Sequence, residues 1–316
     1  MQRVLDPAQI EAFAQRAVPR IRLPDPAHVF SRRAARLRQL SEGHAVGDYL
    51  RLMAVLADAQ QNALSSRVTT QGDAHVGNEE RLRLAREHGM PPLQAAEWIR
   101  DERWRTVLHE LCSAIETVPG YPAGVAKVLG SLRSLPVTAL ELQADLLLGA
   151  DPTDTEARIE TSTAPFIMAA LQVHWTAMLA SLSHDQISAH LGGTDVPGVC
   201  PVCGTLPVAS IVSAEQSYQG YRYLHCALCA TEWHLVRIKC SQCESTEGIH
   251  YHSIEGGSTA IRAEACERCR TYRKICYQEQ DRDVEPLADD LASLALDLLM
   301  TEAGFQRASG HPLLWQ

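Results

Sequence analysis

Eight cysteines of this chain stand in four Cys-x-x-Cys pairs, Cys200/Cys203, Cys226/Cys229, Cys240/Cys243 and Cys266/Cys269, a spacing in which thiolates bind metal. One such turn offers two soft donors from a single loop. Two turns brought together present four sulfurs tetrahedrally, a set that suits zinc or iron alike. Which turns go together is readable from the numbering. Adding 40 to each position of the first two pairs gives the last two, so each half reads C-x2-C-x22-C-x2-C and the segment is an internal duplication. The close neighbours Cys226/Cys229 and Cys240/Cys243 therefore belong to different sites. ATEWHLVRIK between them reads as strand, and at roughly 3.3 Å per residue a straight strand would hold those two turns about 30 Å apart. A hairpin within each half closes each set of four on itself.

With four sulfurs each, neither site keeps an open position for water or substrate. The expected work is to hold β modules whose own cores are too thin to fold unaided. His225, His234, His250 and His252 lie nearby as substitute ligands, but each set is already complete, which leaves them surface or supporting roles. A dithiol redox role would want a Cys-x-x-Cys after a βαβ pattern, and none of the four follows one. CPVCG carries the glycine of rubredoxin and zinc-ribbon turns, whereas CALCA, CSQCE and CERCR lack it. Cys112, inside a helical pattern, reads as a small buried hydrophobe, and Cys276, on a strand, as buried rather than a ninth ligand. No Ser/His/Asp grouping, phosphate-cradling glycine loop or paired-carboxylate motif stands out, which argues against an enzyme.

The elements that must hold these turns change character near residue 190. Before it the period is helical. GDYLRLMAVLADAQQNAL places Leu52, Val55, Leu56 and Ala59 on one face, and LQAAEWIRDERWRTVLHELCSAI does the same for Ala96, Ile99, Trp104, Val107, Leu108 and Leu111. Pro136 breaks two further helical runs, and roughly seven or eight helices are expected in all, with Trp98, Trp104 and Trp175 as core packing. LGGTDVPGVC marks the boundary. Beyond it LPVASIVS, YRYLHC, TEWHLVRIK and TYRKICYQ read as strands, the first two flanking a hairpin turn, with Trp233 packed in the ribbon. The tail EPLADDLASLALDLLMTEAGF returns to helix with a Leu287, Leu291, Leu294 and Leu298 stripe, Pro286 in its first turn and Gly304 at its stop. The expectation is an α+β chain: a helical bundle over 1–190, tandem rubredoxin- or zinc-ribbon-like four-cysteine β modules over 198–238 and 239–280, and a C-terminal helix and tail over 284–316 packed back on the body.

Composition narrows the function. The chain is an ordinary globular one, 46% hydrophobic and 21% charged, and its formal charge of -9 argues against a phosphate-tracking surface. Residues 200–276 hold eight Lys/Arg against seven Asp/Glu, which is poor for a zinc-ribbon nucleic-acid binder, the weakest of the alternatives. MQRVLDPAQIEAFAQRA shows no readable export signal, so a cytoplasmic place and reduced cysteines are expected. APFIMAALQVHWTAMLASL is nearly long enough to span hydrocarbon, but Gln172 and His174 sit at its middle without flanking Lys/Arg clusters, and a buried helix is expected.

CPVCGTLPVAS, YLHCALCATEWHLVRIKCSQCE and AEACERCRTYRKICY, with the tail ADDLASLALDLLMTEAGFQRASGHPLL, resemble the FdhE family of formate dehydrogenase accessory proteins. The resemblance is strong over roughly 198–314, and GDYLRLMAVLADAQ is similar to the family's early helix. It implies a cytoplasmic protein, not itself a dehydrogenase, that binds the molybdenum-type catalytic subunit of a respiratory formate dehydrogenase before export. It also implies two metal ions, each on four of the eight cysteines. Iron in a rubredoxin-like setting is what the family suggests, with zinc as the alternative. Groups such as His225, His234 and Arg237 would face the client. A rubredoxin-like electron-transfer or redox role toward the dehydrogenase is the rival reading.

Overall fold

Apolar residues spaced three and four apart fold the first half into seven helices among the described residues. The computed structural model describes residues 19–69, 79–96, 98–120, 122–150, 157–182, 198–215 and 219–315; MQRVLDPAQIEAFAQRA and most of the LGGTDVPGVC boundary lie outside them. The helices are α1 (Val29–Ser41), α2 (Gly47–Thr69), α3 (Glu79–Glu87), α4 (Arg103–Glu116), α5 (Ala123–Ser134), α6 (Val137–Leu147) and α7 (Ala164–Ser181), with Pro136 parting α5 from α6. α7 is buried on almost every side because α2, α4 and α6 pack around it, so a segment of near membrane-spanning length serves as a core helix. No helix among the described residues is long and apolar enough to cross a membrane. Trp104 and Trp175 are fully buried, and Trp98 meets Trp175 edge-on at 6.5 Å. Cys112 and Cys276 are buried as well.

Two helical faces differ from expectation. On α2 Leu56 and Ala59 are buried as expected, but the buried stripe also runs through Leu50, Met53, Ala54, Ala57, Gln60 and Leu64, while Leu52 and Val55 are half-buried. The helix packs against α1 on one side and α4 and α7 on the other, so its buried face is wider and turned from the one the apolar pattern picks. The helix expected through Ala96 and Ile99 begins only at Arg103, and Ile99 is 88% exposed. The preceding segment is a strap instead: Leu93 N donates to Val202 O and Ala95 N to Cys203 O, both at 2.9 Å, spending on the first cysteine turn the bonds a helix would have kept.

Among the described residues the strands form one eight-stranded sheet: β1 (Ile21–Arg22), β2 (Pro207–Val212), β3 (Arg222–Cys226), β4 (Glu232–His234), β5 (Ile249–His252), β6 (Ile261–Cys266), β7 (Thr271–Tyr277) and β8 (Gln306–Arg307). Their order is β1-β4-β3-β2-β7-β6-β5, with β8 beside β7. β2-β3-β4 and β5-β6-β7 are successive antiparallel ribbons, and the Tyr223↔His234 pairing of the first recurs 40 residues on as Ala263↔Lys274 in the second. β2 lies parallel to β7, which joins the two halves edge to edge. ATEWHLVRIK is strand only at Glu232–His234; Lys239 N bonds back to Val236 O at 3.1 Å, and that turn starts the second half.

The tail is two helices, α8 (Pro286–Ala292) and α9 (Leu294–Glu302), rather than one. Glu285 caps the first, accepting from Ala288 N at 2.7 Å, with Pro286 at the first position. Ser293 interrupts the run: its hydroxyl bonds Asp289 O at 2.7 Å, and Lys274 Nζ takes the carbonyls of Asp290 and Ser293 at 2.8 and 3.0 Å. The break turns the stripe, so Leu287 and Leu291 are buried as expected but Leu298 is 68% exposed and Leu296 and Met300 face inward.

Polar groups fasten the halves together. Arg33 bonds Glu285 at 3.0 Å and Arg36 bonds Asp289 at 2.6 Å, linking α1 to the tail. Gln172, at the middle of α7, donates to Ala227 O at 2.7 Å and accepts from Gln60 and Arg33 at 3.0 and 3.3 Å. One buried amide thereby ties three helices to the second cysteine turn.

Candidate metal centres

The fold gathers the eight cysteines into two groups, Cys200/Cys203/Cys226/Cys229 and Cys240/Cys243/Cys266/Cys269, with the sulfurs of each group within 4.8 Å of one another. In the first, Cys200 and Cys229 are 3.6 Å apart, Cys203 and Cys226 3.4 Å, and Cys226 and Cys229 3.5 Å. In the second, Cys240 and Cys269 are 3.8 Å apart and Cys243 and Cys266 3.7 Å. A metal–sulfur bond of about 2.3 Å in a regular tetrahedron puts sulfurs roughly 3.8 Å apart, so both groups fit one ion each.

Every turn is built the same way. The residue after the second cysteine has positive φ in all four: Gly204 at 76°, Ala230 at 56°, Glu244 at 61° and Arg270 at 56°. Only the first is the glycine that this conformation favours, and the other three turns adopt it with a side chain in place. Three of the four turns close with the same bond, Gly204 N to Cys200 O at 2.8 Å, Glu244 N to Cys240 O at 3.1 Å and Arg270 N to Cys266 O at 2.9 Å. The next residue is always Thr or Ser. Thr205 Oγ1 lies 3.1 Å from both Cys203 and Cys226, Thr231 Oγ1 3.1 Å from Cys229, and Thr271 Oγ1 3.1 Å from Cys269. This C-x2-C-x-[Thr/Ser] pattern was available in the sequence as four aligned copies, yet attention to the glycine alone passes over it. The chain entering the first turn runs close against the third: a Cβ at Gly198 would meet Ser241 O at 2.8 Å, so only glycine allows it to pass.

The centres differ in setting. The first is fully buried, and Cys200, Val202, Cys203, Cys226, Leu228 and Cys229 belong to the same hydrophobic core as the helices. In the second, Cys243 and Cys269 are half-exposed. Burial pushes Cys200 and Cys229 well above the ordinary thiol range. Burial acts the same way on Cys226, but hydrogen bonds from Cys200, Cys203, Cys229 and Thr205 carry it well below. One thiolate solvated by its neighbours is thus favoured in this pocket, and four thiolates call for a cation at its centre. At the second centre burial raises Cys240 to about 12, whereas Cys269, despite burial, is lowered to about 7 by Thr271 and the sulfurs beside it.

None of the four nearby histidines joins a sulfur group. His225 is buried and bonded to Glu232 at 3.1 Å. His234 is half-buried with its ring 5.6 Å from Tyr221 and 5.9 Å from Tyr223, His252 lies 6.0 Å from Phe305, and His250 and Arg237 are exposed. Sequence reasoning also missed Arg273, a buried guanidinium that bonds Ser241 of the third turn at 2.9 Å, the carbonyl of Pro207 and Ser309 at 2.7 Å. Burial lowers it to about 9, and it links both ribbons and the tail.

A helical body that shares its core with a duplicated four-cysteine ribbon defines a two-centre α+β protein. Comparisons identify which one. Family models described as FdhE, N-terminal; FdhE, central domain; and FdhE, C-terminal domain match residues 18–191, 199–237 and 238–314. A protein FdhE homolog of Cronobacter sakazakii is 41% identical over 99% of this chain and 97% of its own, and a protein FdhE of Salmonella paratyphi A is 41% identical over 94% and 92%. The crystal structure of the FdhE protein from Pseudomonas aeruginosa superposes with a TM-score of 0.79 at 38% identity, covering 94% of this chain and 99% of that one. The chain belongs to the FdhE family, the formate dehydrogenase accessory proteins.

Proposed function

We propose that this chain binds the catalytic subunit of a respiratory, molybdenum-type formate dehydrogenase in the cytoplasm and holds it during maturation, before export, without being an enzyme itself. The observation that carries the reading is the family match over all three parts of the chain, together with the gathering of all eight paired cysteines into two tetrads. Each tetrad is assigned one metal ion, on Cys200, Cys203, Cys226 and Cys229 and on Cys240, Cys243, Cys266 and Cys269. The family resemblance favours iron, and four thiolates suit zinc equally. An ion at either centre neutralises thiolates that the fold packs together and thereby fixes the turns carrying the client-facing surface.

The test is co-purification from anaerobically grown cells, with tagged intact protein beside a Cys240→Ser/Cys243→Ser variant. The intact protein is expected to carry the formate dehydrogenase catalytic subunit and the variant to lose most of it. If neither carries it, the accessory reading fails. A second reading, electron transfer through rubredoxin-like iron, draws support from the half-exposed sulfurs of Cys243 and Cys269. It requires a reversible one-electron couple in the iron-loaded protein, and a chain that works with zinc alone excludes it.

A further inference from the structure

Where α1, the first ribbon and the segment leading into α8 meet, they leave a cleft of about 710 Å³. Part of its lining is the back of the first four-cysteine centre, through His225 and Ala230, the chain neighbours of Cys226 and Cys229. Three features of the cleft call for a ligand. The first is His225, only 6% exposed, whose Nε2 is buried with no hydrogen-bond partner among the described residues. Its Nδ1 faces Glu232 Oε1 at 3.1 Å, and Glu232 also pairs with Arg22 at 3.3 Å. That contact occupies Nδ1 and leaves Nε2 in need of a hydrogen-bond partner.

The second feature is main chain. β1 ends the sheet, and His234 N bonds Arg20 O at 2.9 Å, which sets the alternation of the β1–β4 ladder. Arg22 therefore points its peptide groups toward β4, while Leu23, next in the alternation and lining the cleft, turns its own away. The third is charge. Glu215 and Glu232 are held by Arg22, and Glu285 by Arg33. Arg32 on α1 and Arg282 before α8 line the cleft, are exposed and carry no ion pair among the described residues. Asp25, bonded to His28, and Asp283 line it too, and they oppose a run of acidic groups.

An unpartnered ring nitrogen in the wall, a sheet edge left open among the described residues and two guanidinium groups without an ion pair among them together match how extended peptides are recognised, main chain for affinity and side chain for selection. We propose that this cleft receives an extended segment of the client, which hydrogen-bonds through its main chain to His225 Nε2, pairs along Leu23 and places a single carboxylate between Arg32 and Arg282. This rests on the client-binding reading above. It also gives the first centre a part in recognition, since the turn that its four sulfurs fix carries both His225 and Ala230.

The test uses the full chain and the purified catalytic subunit. Arg32→Glu/Arg282→Glu changes exposed side chains only, so thermal midpoint and metal content should match the unsubstituted protein while recovery of the subunit falls at least tenfold. A photo-crosslinking residue at Gln39, on the cleft, should capture the subunit, and one at Lys127, exposed on α5, should not. Undiminished recovery by the double variant, or crosslinks from Lys127 alone, would overturn the cleft and leave the accessory reading standing. No recovery by the unsubstituted protein overturns both.

Discussion

The hydroxyl of Thr205 reaches two sulfurs of the first centre, Cys203 and Cys226, each at 3.1 Å. A donor in that place stabilises thiolate over thiol and so lowers the proton's competition with a metal. Thr205→Val keeps the shape and removes the donor. Metal affinity at the first centre is expected to fall about tenfold, the low end for groups supporting a ligand. Competition against a chromophoric chelator measures it, and unchanged affinity would show that the hydroxyl only packs. The residue before it tests the turn itself. Gly204 has φ of 76°, and a Cβ there would meet only Pro91 and Gln94 carbons at 3.5 and 3.9 Å, ordinary contacts. Gly204→Ala should therefore cost about 1–2 kcal/mol through backbone strain alone. Glu244→Gly, at φ of 61° on an exposed turn, should shift the thermal midpoint the other way, partly offset by the loss of its pair with Lys239.

At the scale of elements, the two ribbons repeat in strand pairing but not in what lies against them. The strap of Leu93 and Ala95, the amide of Gln172 and the common core bind the first centre into the helices. The second centre has two half-exposed sulfurs. A chelator should therefore strip one ion quickly and the other slowly, and Cys240→Ser/Cys243→Ser should identify the fast one as the second centre by abolishing that phase. Cys200→Ser/Cys203→Ser should reduce helical ellipticity and lower the thermal midpoint much further, because those turns are part of the helical core. Equal stripping rates would contradict the asymmetry. The 40-residue shift between the cysteine pairs made the division into two centres readable in advance, since spacing is a property of the chain alone. The asymmetry was not readable, for it depends on a strap that the helical period of Ala96 and Ile99 disguises. The tail shows the same limit: Leu294 and Leu298 fit a helical stripe, but the run breaks at Ser293, where its hydroxyl takes Asp289 O and Lys274 takes the Asp290 and Ser293 carbonyls, and Leu298 turns outward. Periodicity reports the local preference of a segment, and a buried cation arriving from another strand overrides it.

For the whole molecule, the buried His174 and His311 make acid the weak flank. His174 in the middle of α7 is lowered to about 4 by burial, and its Nε2 has no partner among the described residues. His311 is lowered to about 4 by burial too, and both nitrogens are committed, Nε2 to Leu287 O at 2.9 Å and Nδ1 to Leu313 N at 3.0 Å. Unfolded, each would take a proton near pH 6.5. The folded state refuses that proton down to about 4, so the unfolded state binds more protons across this window and stability falls as pH drops through it. Each group accounts for a loss on the order of 3 kcal/mol, complete near pH 4. Asp290 extends the decline: although burial opposes ionisation, Lys274 and Arg307 hold it at about 2, and the stability it contributes above its ordinary value of 3.8 disappears as pH falls toward 2. Protonation of the cysteines adds its own loss if metal leaves. Comparing His174→Leu with the unsubstituted chain removes that contribution, because both carry the same eight ligands. The variant should lose roughly half as much stability from histidine between pH 6.5 and 4.5 in denaturant titrations. Parallel curves would mean that His174 is protonated in the fold, and that α7 tolerates a charge at the centre of the core.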